Sequence, residues 1–122
     1  MTTQGPNSPA TGADDSGVGT LAWSNPDRVA ASDDSKANAS STANVTTHYL
    51  KATNFGFSIP VGATVNGVTV EIERMTTNNT AARNTIDNIV KLVKGGVISG
   101  TDKADTVSKW PKADAYASYG GA

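Results

Sequence analysis

Between positions 65 and 75 the chain reads VNGVTVEIERM, and Val68, Val70 and Ile72 alternate there with Thr69, Glu71 and Glu73. A period of two sends these sets to opposite faces of one strand, the first toward a core and the second toward water. The phrase that leads into it, YLKATNFGFSIPVGAT (residues 49–64), continues the theme, with Phe55, Phe57 and Ile59 in one phase before Pro60 stops the run. No stretch of ten or more residues shows helical periodicity, so the chain has to build its fold from strands.

The remaining segments are read from that anchor. Residues 18–23 form a candidate first strand, closed by the turn Ser24-Asn25-Pro26-Asp27. A turn at Asp33-Asp34-Ser35 precedes a short strand over 36–40, and 49–53 is a strand that Asn54 turns or bulges. The strand over 65–75 is expected to pair with 85–94, placing Ile86, Val90 and Leu92 inward beside Val70, Ile72 and Phe57. Gly95-Gly96 turns the chain into a short strand at Val97-Ile98, and the tail SKWPKADAYASYGGA is extended. Short strands at this spacing favour an antiparallel β-sandwich or jelly roll. Residues 1–17, with two prolines and no large aliphatic side chain after Met1, read as an extended N-terminal arm that grips a neighbouring subunit, and 18–122 as the sandwich domain.

Composition supports strands and restricts function. Thr, Ser and Asn supply 37 of the 122 residues, a mixture suited to pleated strands and the turns between them, with partial disorder as the competing reading. Ten basic against eleven acidic residues leave a net charge of −1, which gives no field to gather nucleic acid or an anionic membrane. There is no cysteine, so packing and backbone pairing must stabilise the fold, as suits assembly in a reducing cytosol. The first fifteen residues lack the basic start and apolar run of a secretory signal.

Five phrases together, AWSNP (22–26), SDD (32–34), YLKATNFGFSIPVGATVNGVTVEIER (49–74), LVKGG (92–96) and WPKADAYASYGG (110–121), resemble a family of mostly uncharacterised proteins of tailed bacteriophages and prophages. The resemblance runs from about Val18 to Gly121. It implies a β-sandwich in a virion, tail or fibre setting and carries over no established active site. Members run on beyond SYGG into further strands, whereas this sequence ends at Ala122.

The chemical candidates are few. Glu71 and Glu73, about 7 Å apart along one strand face, have a spacing open to paired glycosidase carboxylates, but exposed charges are also what a wet sheet face shows. His48, the sole histidine, would need Ser41 or another hydroxyl and a carboxylate behind it to act in a triad, and reads more simply as a surface residue. Asp33, Asp34 and Asn38, or Asp14 and Asp15, offer hard oxygens for calcium, but no D-x-[DN]-x-[DN]-G run is present and Asx turns explain the clusters. Trp23, Trp110, Tyr116 and Tyr119 could stack on sugar rings if exposed, although a chain with two Phe needs its tryptophans for core volume. The N-x-[ST] matches at Asn38, Asn44 and Asn78 are expected by chance. No catalytic, cofactor or metal residue is assigned.

The expectation is a non-enzymatic subunit of a tailed-phage virion, a decoration or fibre-like component made in the host cytoplasm and bound through protein contacts to capsid or tail proteins and to its own copies. A carbohydrate-binding module that contacts a host surface glycan is the alternative.

Overall fold

The 65–75 alternation does become a strand, and strands make up nearly all the regular structure of the computed structural model, which describes residues 3–121. They are β1 (Thr11–Asp15), β2 (Tyr49–Thr53), β3 (Val68–Arg74), β4 (Leu92–Lys94), β5 (Val97–Ser99) and β6 (Ala115–Gly121), joined by one 3-10 helix at Pro26–Ala30. The pairings are β1–β2, β3–β6 and β4–β5, all antiparallel and each a two-stranded sheet. The chain is therefore all-β. No helix among the described residues is long and apolar enough to cross a membrane. Two units are distinguished, Met1–Val61 and Gly62–Ala122.

In the first unit β1 pairs with β2 from Thr11↔Thr53 to Asp15↔Tyr49. Asn54 ends β2 with a positive φ of 62°, a conformation that Asn tolerates better than most residues, and its side-chain amide donates to Thr11 Oγ1 at 2.8 Å. Gly12 lets β1 lie against the 3-10 helix, because a β-carbon there would overlap the Pro26 carbonyl and crowd Val29. The expected strands over 18–23 and 36–40 shrink to isolated bridges, Leu21↔Thr47 and Ser24↔Asn38. Left-handed backbone at Gly19 (φ 66°) and Asn25 (φ 52°) limits the first. Gly56, at φ 73°, likewise ends the run expected through 55–59, leaving the Phe55 and Phe57 rings stacked 6.4 Å apart and Phe57 47% exposed.

Within residues 3–17, expected as an extended arm, Thr11–Asp15 forms β1 and pairs with β2 of the same chain, and polar side chains tie the residues before it to the segment after β2. Gln4 donates to the Ser58 carbonyl at 2.6 Å and accepts from the Ser58 N–H at 3.0 Å, imitating a strand neighbour. Asn7 donates to the Phe55 carbonyl at 2.8 Å.

In the second unit β3 pairs with β6, not with 85–94, in the register Val70↔Tyr119, Ile72↔Ala117 and Arg74↔Ala115. Of the expected partner only Leu92–Lys94 is strand, and it turns through Gly95-Gly96 into β5. Both glycines have positive φ (57° and 80°), as a two-residue hairpin of the type I′ class requires. The reason for the switch lies at Asp87. It is 6% exposed where Ile86 was expected inward, while Ile86 and Leu92 are 44% and 39% exposed.

Burial in the single chain is slight. Among the described residues only Tyr119 and Asp87 are buried, and Val68 and Ile72 on the core phase of β3 remain 43% and 37% exposed. The accessible surface is 8502 Å². Two separate globules of half the 12.5 kDa mass would expose about 7,400 Å² together.

Candidate functional site

Each unit organises one polar cluster. In the second unit the cluster follows from the β3 alternation. Arg74 continues the phase of Val68, Val70 and Ile72, so a guanidinium is carried to the covered face and needs a counter-charge there. Asp87 provides it. Arg74 Nη1 donates to Asp87 Oδ1 at 2.8 Å, with side-chain exposures of only 10% and 4%. Trp110 Nε1 donates to the same oxygen at 2.8 Å, and the Tyr119 hydroxyl donates to Oδ2 at 2.7 Å. The Asp105 N–H adds a fourth bond to Oδ2 at 3.2 Å. Arg74 also donates to the Tyr119 hydroxyl oxygen at 2.9 Å and lies over the Trp110 and Tyr119 rings at 5.5 and 6.0 Å.

No buried side-chain nitrogen or oxygen among the described residues, those of this group included, lacks a partner. Burial, reinforced by the bond to Asp87, pushes the Tyr119 hydroxyl far above its ordinary pKa of 10.0, so it is held as a neutral donor. The Asp87 carboxylate is occupied by four donors. Its chemistry is that of a rivet, tying β3, β6 and the segments around Asp87, Asp105 and Trp110 together.

In the first unit Asp14 of β1 joins His48, whose Nδ1 lies 2.8 Å from Asp14 Oδ2. The Trp23 N–H donates to Asp14 Oδ1 at 2.8 Å, and the Trp23 indole donates to the His48 carbonyl at 2.9 Å. These bonds, the Trp23 N–H first and His48 second, hold the Asp14 carboxyl below its ordinary value. A carboxylate behind an imidazole is the orienting half of a hydrolytic triad. The hydroxyl considered for the other half, Ser41, is engaged with Ala43 instead, donating to its carbonyl at 3.2 Å and accepting from its N–H at 3.1 Å.

The remaining candidates are dispersed. Glu71 and Glu73 share an exposed face of β3, across from Ser118 and Tyr116. Asp33 accepts from the Ser35 N–H at 3.1 Å in an Asx turn, and Asp15 accepts from the Gly17 N–H at 2.9 Å. Among the described residues no three acidic, histidine or cysteine side chains converge on a metal position. Two further acids serve loops. Asp102 accepts the Val90 and Ala104 N–H groups at 2.8 and 2.9 Å, and Asp105 accepts those of Ser108 and Val107 at 3.0 and 3.1 Å, which holds both carboxyls below their ordinary range.

The four aromatic residues considered for sugar stacking divide between the units. Trp23 is half-buried in the first. In the second, Trp110 is half-buried and Tyr119 buried against Arg74, and Tyr116 is 59% exposed three residues away on the other face of β6. They build no common platform within either unit.

Asp87, Arg74 and Asp14 were not singled out from sequence for these roles. Two had a signal: Arg74 sits in the inward phase of β3, and Asp87 interrupts the run TIDNIVKLV. The link from Asp14 to His48 spans 34 positions and has no local signature. No protein-family model, curated protein or solved structure matches the chain.

Proposed function

We propose that this chain is a non-enzymatic structural subunit of a tailed-phage virion, a decoration or fibre-like component whose β-sandwich or jelly-roll core is completed by contacts with neighbouring protein chains. One observation carries the assembly part of this reading. The isolated chain exposes about 1,000 Å² more than two separate globules of half its mass would. Val68 and Ile72, in the core phase of its alternating strand β3, stand 43% and 37% exposed. A protein that works alone in water covers such a face, while a subunit leaves it for a partner. The tailed-phage setting rests on the sequence resemblance over residues 18–121.

The polar clusters agree with a structural role, because each ties separate segments of its own unit together. The test is composition of the particle. Particles released from cells that encode the chain, purified on a density gradient, should contain it at a fixed ratio to the major capsid or tail protein. Presence in the lysate with absence from gradient-purified particles would overturn the proposal.

A further inference from the structure

We propose that Asn66-Gly67 is a site of spontaneous modification in the folded chain, where the Asn66 side-chain amide is lost as ammonia and a carboxylate takes its place just before β3. The inference does not depend on the assembly reading, because the reaction needs no partner chain and no co-reactant but water.

The chemistry follows from the dipeptide. The Gly67 backbone nitrogen, as it gives up its proton, attacks Asn66 Cγ and closes a cyclic imide. The bond from Cγ to the side-chain nitrogen breaks, and that nitrogen leaves with the proton as ammonia. Water then opens the imide at either carbonyl, giving aspartate, or isoaspartate with the main chain rerouted through the former side chain. Nothing is oxidised or reduced. Glycine favours the first step because it has no β-carbon to block the approach and its backbone is permissive.

Three observations single out this asparagine. Of the ten in the chain it alone is followed by glycine. It lies in the exposed, irregular segment 63–67, so no strand ladder holds its backbone away from the geometry of attack. Its side chain has no hydrogen bond among the described residues. Elsewhere the amides are tied: those of Asn7, Asn79 and Asn84 donate to the carbonyls of Phe55, Trp110 and Thr80, and that of Asn54 to Thr11 Oγ1, all at 2.8 Å. Asn25 precedes Pro26, whose nitrogen has no proton to give up.

The site adjoins the last pair of the β3–β6 ladder, Val68↔Gly121, and stands at the far end of β3 from the Arg74↔Ala115 pair that Asp87 secures. The fold therefore survives the change. Each converted copy gains one negative charge, taking the net charge from −1 to −2, so the charge of the protein records its age.

The test holds the purified chain at 37 °C and pH 8 for two weeks, folded in buffer and unfolded in guanidinium chloride, and compares tryptic peptides with a zero-time digest. The peptide 52–74 contains both Asn54 and Asn66, so one fragment spectrum reads the site and its internal control. A gain of about 1 Da should appear at Asn66 at least tenfold faster than at Asn54, with a folded rate within fivefold of the unfolded one. Gly67→Ala should slow the gain at least tenfold, and the comparison of Asn66 with Asn54 stands by itself if that variant does not fold. An unchanged Asn66 in the folded chain, equal conversion at Asn54, or a folded rate more than fivefold below the unfolded one overturns the inference.

Discussion

Asp87 shows how much one side chain can decide in a molecule with so little buried area. It accepts from Arg74, Trp110, Tyr119 and the Asp105 backbone, and its removal would strand a guanidinium at 10% exposure. Asp87→Ala should therefore cost about 3–5 kcal/mol, the usual penalty for breaking a buried pair, read as a shifted midpoint in urea. Asp102→Ala, which loses two loop hydrogen bonds at an exposed site, should cost much less. Tyr119 adds a pH dependence. Its pKa in the folded state lies above the 10.0 of the free side chain, so the stability it contributes is complete below pH 10 and is lost as the pH rises beyond it, where the unfolded chain ionises first. Stability measured from pH 8 to 11 should fall above 10, and Tyr119→Phe should flatten that slope. An unchanged slope in the phenylalanine variant would assign the alkaline loss elsewhere.

At the scale of elements, legibility followed local chemistry. The β2 limits, the β3 alternation and the Gly95-Gly96 turn were readable because each depends on neighbours in sequence: period two, an Asn that accepts positive φ, two glycines in a hairpin. The partner of β3 was not. AYASYGG offers no aliphatic alternation, while 85–94 offers plenty, and the apolar pattern pointed to the wrong strand because a buried carboxylate, not an isoleucine, organises that segment. β1 was hidden for a similar reason. TGADD has no β-branched core residue, and it is held by pairing with β2 and by the bonds of Asn54 and Asp14. The closeness of β1 to the 3-10 helix depends on Gly12. Gly12→Val should destabilise the first unit by about 1–3 kcal/mol through overpacking, measurable by thermal melt, whereas Gly56→Ala meets no atom and pays only for its backbone angle.

For the whole molecule, the order of the strands sets a timetable. β4 and β5 are separated by two glycines and can close in microseconds, but β3 cannot pair until β6 exists, and residues 75–114 lie between them. On a ribosome that adds 5–20 residues per second, the sequence VTVEIER waits about 2–8 s without its partner strand. An apolar alternating strand in that position invites pairing with another nascent chain. Glu71 and Glu73 place two charges in this strand, the kind of interruption that keeps an apolar alternating segment from pairing early. Replacing both with Thr should leave the urea midpoint of the purified protein nearly unchanged and yet lower its soluble yield at 37 °C. The two carboxylates would then have their value in the seconds before the molecule has a structure.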